Sequence, residues 1–565
     1  MTIKHKKKKG IVYLEEYKSV RVNGKVKSVY IRSLGPEKPK IPNRKPTPSV
    51  LNRLEYSSSF RSGDVSILWE IAKENRFVEY IDGITCGQSH IQGISPGKLI
   101  TAWAINRVID PLSTTKLEKW IPTTDIPLLM DANPADFNKE ALLSSLDFIC
   151  REDNATGQCI DNTTRINDAL YQNWRKRHPL QHTQKETVAY DITSVLFFGV
   201  KCPIAELGHN ANDIRRHQVN LALVISKHDK YPLGHFIFNG SRHSASTIKN
   251  LLSWLTSSPI EPGTIIWDRG NVSKEHISLF ELSGWKVISG IPMSIGDAKK
   301  IVKDTVVPTN PNTFVQKGNT GHIYANRVTG QLFNQARSVV IYVNQEKRQN
   351  QINAQNEVLA NMGKQLDNLN DSGKDWSESK LHAKIDKIVG EWGDFFDIRV
   401  SRKSDEPRIK WRFKSRTMSN AERSYGKYMI YSTDESIPAS EVVKTYFEKD
   451  LIEKVFRTLK TSEEIEPVRH RLEQRVRAYL FVCTLAYRLQ VDIQNRLRAI
   501  SEKEHSWEQV DDYLMDLGRI ERTRIRFGQQ VKTIFLNITK KIQDINKKIG
   551  FKDLFQDRID VDFRL

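Results

Sequence analysis

From residue 186 onward the hydrophobic pattern changes period, and no other feature of this 565-residue chain constrains its fold as tightly. "ETVAYDITSVLFFG" is rich in β-branched and aromatic residues and reads as a strand. "HQVNLALVISKHDKYPLGHFIFNGS" reads as two more strands around "KHDKYP". "SASTIKNLLSWLTSS" is a helix opening on a Ser/Thr cap cluster. "GTIIWDRGN" is a short buried strand bounded by Gly263 and Gly270, followed by a helix over 273–282 and the strand "WKVISGI". Three strands, helix, strand, helix, strand predicts a mixed sheet with helices packed on it.

Two aspartates occupy unusual places in that pattern. Asp191 lies inside "VAYDITSVLFF", and Asp268 ends "TIIWD" just before a Gly-containing turn. Burying a lone carboxylate is costly, so each needs a cation, a hydrogen-bond donor or a metal. A turn-capping or salt-bridged aspartate explains each one equally well when it is taken alone. Strand-end carboxylates in open sheets do, however, face the crevice where ligands bind. A third carboxylate from a helix beside those strand ends would complete an all-oxygen site. Such a site suits Mg²⁺ or Mn²⁺.

"YFEKDLIEKVFRTLK", residues 446–460, has the spacing of one amphipathic helix. At ~100° per residue, Phe447, Leu451, Ile452, Val455, Phe456 and Leu459 share a side. Tyr446, Lys449, Glu453, Arg457 and Lys460 form a narrow stripe opposite. The stripe is either a solvated face or the wall of a site that handles phosphate, and the stretch alone does not decide.

The rest of the chain favours a polyanionic partner. Lys and Arg number 87 against 67 Asp and Glu, a net +20, which points first to nucleic acid. Residues 10–36 read as a basic β-hairpin around Asn23-Gly24, with Lys6 to Lys9 extending its charge. A Pro-rich linker over 35–49 follows, then a largely helical region to about 180, expected to bind DNA. Residues 300–435 interrupt the sheet with alternating strands and a polar helix from Gln345 to about Asn370. "RHRLEQRVRAYLFVCTLAYRLQVDIQNRLR" is a long buried helix, and a charged helical tail is expected after it. Five scattered cysteines without a CxxC pair disfavour zinc fingers and a disulfide framework. No apolar run approaches the ~18 residues of a spanning helix. "MTIKHKKKKG" has no apolar segment behind its cations, so neither a membrane nor a signal peptide is expected.

Several ordered motifs together resemble the DDE transposases of insertion sequences, members of the RNase H-like, retroviral-integrase superfamily. The order Asp191, Asp268, Glu453 resembles their catalytic triad. Tyr446, Lys449, Glu453 and Lys460 occupy the four places of the Y-(2)-R-(3)-E-(6)-K signature, with Lys449 where the signature has Arg. "DITSV", "WDRGN", "GHNANDIRRHQVNLAL", "EKVFRTLKT" and "IRSLGPE" resemble the usual surroundings. The spacings of 77 residues (191 to 268) and 185 residues (268 to 453) match a habit of inserting a β-rich domain before the last helix.

The resemblance implies an α+β, mixed fold with an RNase H-like core. The expected domains are a basic hairpin and linker (1–49), a helical DNA-binding domain (50–185), the first part of the core (186–299), a β-rich insertion (300–435), the last part of the core (436–500) and a helical tail (501–565). It also implies two Mg²⁺ or Mn²⁺ ions on Asp191, Asp268 and Glu453, and no nucleotide cofactor. Water would release a 3′-hydroxyl at each element end, and that hydroxyl would attack target DNA. Tyr446, Lys449, Arg457 and Lys460 would contact DNA, with Arg215 and Arg216 as further backbone contacts. Trp376, Trp392 and Trp411 lie where a residue holding a flipped base would be sought, although core packing is the commoner use of tryptophan. The partners implied are terminal inverted repeats and target DNA, bound by a homodimer in a synaptic complex. The setting implied is the cytoplasmic nucleoid.

Three rivals share parts of this pattern. A metal-dependent nuclease on the same fold would cleave without joining. A catalytically silent, domesticated DNA-binding protein would keep the charge and lose the chemistry. A tyrosine recombinase needs an R…HxxR…Y array, and "RHRLEQR" has Glu473 where that array requires Arg.

Overall fold

The computed structural model describes all residues except 9–10, 23–24, 37–53, 87–92, 154–155, 157–158, 182, 200, 209, 211–214, 319–320, 402–407, 501–506, 528–529 and 562–565. It divides into two compact units. One comprises Met1–Ser59, Thr523–Ile534 and Asp557–Leu565, and the other Phe60–Arg522 with Phe535–Gln556.

In the first unit, β1 (Thr2–Lys8), β2 (Ile11–Val22) and β3 (Lys25–Pro36) form an antiparallel sheet in that order. The lysine run, read from the sequence only as extra charge, is itself mostly a strand. Its register brings Lys4 and Lys6 over the Tyr17 ring, at 4.8 and 5.7 Å from the centroid. The Asn23-Gly24 turn and most of the 35–49 linker lie outside the described residues. A further strand, β4 (Leu54–Arg61), precedes the helices.

The second unit begins with helices between Gly63 and Arg177. Two of them matter below: α1 (Pro96–Ile109) and α2 (Lys139–Ile149). Ser95 caps α1 by accepting from Lys98 N at 3.2 Å, with Pro96 in the first turn. Asn138 caps α2 by accepting from Ala141 N at 2.9 Å. A short hairpin, β5 (Cys150–Glu152) with β6 (Cys159–Asp161), interrupts the helices.

The chain then builds a 10-stranded mixed sheet. β7 (Thr187–Leu196), the two-residue β8 (Glu206–Leu207), β9 (His217–Ser226) and β10 (Pro232–Asn239) come first. β11 (Thr264–Trp267) and β12 (Lys286–Ile291) follow, each after a helix. β13 (Phe314–Gly318), β14 (Gly321–Leu332), β15 (Gln335–Asn344) and β18 (Lys427–Ser432) extend the same sheet. The order across it is β10-β9-β7-β11-β12-β18-β15-β14-β13, with β8 on β9. Most strands of the 300–435 segment therefore continue the core sheet. Only β16 (Phe396–Val400) and β17 (Ile409–Phe413) pair separately. The central strands β7, β11 and β12 run parallel. Their runs of Val, Ile and Ala are buried, as strands covered on both faces require. Trp376, Trp392 and Trp411 pack partly buried against a local core of Leu359, Leu366, Leu381 and Ile385, the ordinary use of tryptophan.

The segment read as one helix over 446–460 is two. α3 (Ala439–Phe447) ends and α4 (Asp450–Thr461) begins across Glu448 and Lys449. There Lys449 N bonds Tyr446 O at 3.2 Å and Ile452 N bonds Lys449 O at 2.9 Å, the tighter i→i−3 pattern. The long helix α5 (Glu473–Ala499) is buried along most of its length, as its sequence indicates. Arg488 on α5 is fully buried and donates to Asn167 Oδ1 at 2.8 Å and to Pro232 O at 2.9 Å, tying the helical region to the sheet.

The expected helical tail is not all helical. After a helix at Trp507–Gly518, β19 (Glu521–Phe527), β20 (Gln530–Leu536) and β21 (Arg558–Val561) join β4 in the order β21-β20-β19-β4. "ERTRIRF" and "QVKTIFL" carry the period-2 and β-branched signals of strands, and these outweigh the region's overall charge.

His235 on β10 is buried, stacked on Phe481 with centroids 5.8 Å apart and within 3.1 Å of Asn167 Nδ2. Burial pushes its ring down to about 4 from 6.5. A depressed pKa means the folded state requires the neutral ring. That stability is complete above pH 6.5 and is lost as pH falls through 4. The loss is on the order of 3 kcal/mol. Thermal melting should therefore fall between pH 6.5 and 4, and His235→Gln should make that fall shallower. His470, which burial also holds down to about 4, supplies a further part of it.

Candidate active site

The site is built on strand register. β7 and β11 pair in parallel with Tyr190 opposite Trp267, so the next residues, Asp191 and Asp268, stand side by side on neighbouring strands. Such strands are ~4.8 Å apart. β11 and β12 pair with Trp267 opposite Ser289, which sets Gly290 beside Asp268 on the other side. Tyr190 points the opposite way from Asp191 and shares a 2.6 Å hydrogen bond with Thr247, fixing which face the aspartate takes.

Two of the predicted residues, Lys449 and Tyr446, meet at Asp268. Lys449 Nζ donates to Asp268 Oδ1 at 2.9 Å, and Tyr446 Oη donates to the same oxygen at 3.4 Å. Glu453 is exposed on α4, yet its charge acts on Asp191. Burial pushes the Asp191 carboxyl up to about 6; Asp268 and Glu453 add to the rise, while the Ile192 amide, which donates to it at 2.8 Å, and Lys449 oppose it. Asp268 goes the other way. Burial opposes its charge, but the hydrogen bond and charge of Lys449, helped by Arg269, hold it below the usual carboxylate range.

The other predicted residues lie farther along. Lys460 Nζ donates to Ser194 O at 2.6 Å, three residues beyond Asp191 on β7, and sits 3.6 Å from Glu466. Arg457 is exposed on α4. Arg215 and Arg216 are exposed just before β9, at the Leu196 end of β7, because Gln218 pairs with Leu196. The stripe of 446–460 is thus divided by the helix break. Tyr446 and Lys449 turn into the sheet, Glu453 and Arg457 face outward, and Lys460 returns to β7.

Residues that sequence reasoning passed over complete the cleft. A cavity of about 740 Å³ beside Asp268, Tyr446 and Lys449 is also lined by Tyr342, Tyr428, Lys317 and Lys347. Tyr342 and Tyr428 stack with centroids 5.2 Å apart, and Lys347 lies over Tyr428 at 5.7 Å. Gly290 admits Tyr446, since a Cβ there would come within 2.4 Å of the phenol oxygen. Glycine inside the strand "VISGI" was the available signal, because such a residue marks close approach.

Three carboxylates without nitrogen or sulfur fit Mg²⁺ or Mn²⁺ in donor chemistry, and the strained charge at Asp191 is one a dication would relieve. Among the described residues, no group of three or more His, Cys, Asp or Glu is gathered tightly enough to hold an ion. Here Asp268 Oδ1 is taken by Lys449 instead. No helix among them is long and apolar enough to cross a membrane.

A family model for the transposase DDE domain matches residues 182–489, more than half of the chain. No curated protein matches it. A solved structure of the piggyBac transposase synaptic complex with hairpin DNA superposes with a TM-score of 0.37 at 10% identity, covering 80% of this chain and 79% of that one.

Gly290→Ala should cost about 1–3 kcal/mol of stability by forcing Tyr446 away from Asp268. Adding Tyr446→Phe, which removes the colliding oxygen, should recover part of that loss. A double mutant as unstable as the sum of the singles in a thermal melt would show that the two positions do not touch.

Proposed function

The chain belongs to the transposase DDE domain family, and on that premise we propose that it cuts and joins phosphodiester bonds at the ends of a mobile DNA element, an insertion sequence. The observation that carries this reading is the parallel register that sets Asp191 beside Asp268, with the charge of Glu453 acting on the first. In this reading the sheet is an RNase H-like core. Residues 186–299 supply its strands β7 to β12 and 436–500 its last helices, while 300–435 are inserted between the two and extend the sheet.

Asp191, Asp268 and Glu453 would hold two Mg²⁺ or Mn²⁺ ions, which supply activation of the attacking oxygen and stabilisation of the leaving one. The protein's own groups do the positioning. Lys449 leaves Asp268 for a DNA phosphate, and as a point charge it needs no fixed fork geometry to do so. Tyr446, held by Gly290, packs against a sugar or base, while Arg457 and Lys460 fix phosphates along α4. Water first releases a 3′-hydroxyl at each element end, and that hydroxyl then attacks target DNA. Each step exchanges one phosphodiester for another nucleophile, so no nucleotide cofactor is consumed. The basic hairpin (1–49), with Lys18, Arg21, Lys25, Lys27 and Arg32 exposed, and the helical region (50–185) bind the terminal inverted repeats. Two copies pair the ends at the cytoplasmic nucleoid.

Glu453→Gln keeps shape and removes one charge. With duplexes taken from the DNA flanking the coding sequence, Mg²⁺-dependent nicking and strand transfer should fall at least about a hundredfold. Binding should stay within about twofold. Near-normal cleavage by Glu453→Gln would place the third carboxylate elsewhere.

A further inference from the structure

A second cavity, of about 1050 Å³, lies within the larger unit between α1, the start of α2 and the segment joining α4 to α5. Its lining includes six Lys or Arg side chains and two Glu. Lys116 and Arg471 are exposed and Lys139 is half-buried, and none of the three has an ion-pair partner among the described residues. The floor is aromatic. Trp103 and Tyr479 lie 6.2 Å apart, His470 is 5.1 Å from Tyr479, and Arg107 sits over Tyr479 at 5.5 Å. His470 is not one of the cations, because burial holds its ring down to about 4.

The floor also carries unanswered donors. Trp103 is 2% exposed and Arg107 4%, and neither Trp103 Nε1 nor Arg107 Nε has an acceptor among the described residues. Arg107 Nη2 donates to the carbonyl oxygens of both Glu463 and Glu464. Buried donors without acceptors are uncommon and costly. Free cations at the rim and free N–H groups at the floor call for one ligand chemistry, an anion with several acceptor oxygens.

The cavity is joined to the catalytic strand. Glu466 in its wall accepts from Leu196 N at 2.9 Å and lies 3.6 Å from Lys460. Arg469, also in the wall, stacks over Phe198 at 5.1 Å. Arg215 and Arg216 lie at the same end of the sheet, since Phe197 N bonds His217 O at 2.8 Å. Leu196 is five residues from Asp191, ~17 Å along a strand at ~3.3 Å per residue. DNA advances ~3.4 Å per nucleotide on each strand, so that distance spans about five nucleotides.

We infer that this cavity is a second DNA-backbone site, seating phosphodiesters several nucleotides from the bond that the carboxylates face. It rests on the reading of the chain as a DNA-processing enzyme and adds a surface that holds the duplex on course across the seam between helical region and sheet. The phosphates answer the free cations, and the aromatic floor gives sugar or base edges a surface to pack on.

The test uses the full-length protein in EDTA with a fluorescein-labelled 30-bp duplex, titrated between 50 and 200 mM salt. Wild type should bind with a steep salt dependence. Lys116→Ala/Lys139→Ala/Arg471→Ala should reduce the slope of log K against log salt by about 2–3, since each duplex phosphate contact contributes ~0.9. Should the triple variant melt early, Lys116→Gln/Arg471→Gln, both at exposed positions, should still reduce it by about 1–2. An unchanged slope in a folded variant would overturn the cavity site and leave the transposase reading standing. Failure of wild type itself to bind DNA would overturn both. A rise in melting temperature with 10 mM inorganic phosphate in wild type but not in the variant, together with an unchanged salt slope for DNA, would assign the cavity to a free anion rather than DNA.

Discussion

The structure depends on the parallel pairing of β7 with β11, which commits two carboxylates to neighbouring positions in a half-buried place. Two unit charges ~5 Å apart repel by on the order of 3 kcal/mol at an effective dielectric near 20. The protein meets that repulsion unevenly. Asp268 receives Lys449 and stays ionised, whereas Asp191 is pushed up to about 6, first by burial and then by its two carboxylate neighbours, with one backbone amide opposing. A cation-deficient pair of this kind has a natural complement in a divalent ion. The strands around it are buried and hydrogen-bonded on both sides, so moving them apart to relieve the repulsion would break that pairing.

Much of this frame was legible in the sequence. The strand–helix order from 186 to 291, the placement of Asp191 and Asp268 at strand positions, the long polar helix starting at Gln345 and the buried helix after 472 all follow from periodicity and caps. The break at Glu448–Lys449 was not legible, because an amphipathic spacing tolerates a tight turn that keeps helical dihedrals. The strands β19 to β21 were hidden under a strongly charged composition, although their alternation was present. That β13, β14, β15 and β18 would extend the core sheet is a long-range pairing choice, and local sequence carries almost none of that information.

The site was legible in its residue types and not in its contacts. Nothing in "YFEKDLIEK" says that Lys449 will spend its charge on Asp268, or that Gly290 on a distant strand makes room for Tyr446. The cationic aromatic cavity was equally hidden, since Trp103, Lys116, Lys139 and Arg471 come from four separate segments. These features share one cause. Each arises from tertiary packing between elements whose own patterns are ordinary.

Iron-directed backbone cleavage tests most directly whether Asp191, Asp268 and Glu453 form one metal-binding centre. Fe²⁺ with ascorbate and peroxide generates short-lived radicals at the bound ion, so the cut positions map the residues around it. Three clusters of cuts are predicted, around residues 191, 268 and 453, all suppressed by excess Mg²⁺ and all lost together in Asp268→Asn. Cuts confined to other segments, or clusters that Mg²⁺ does not suppress, would contradict a shared metal centre on these three carboxylates.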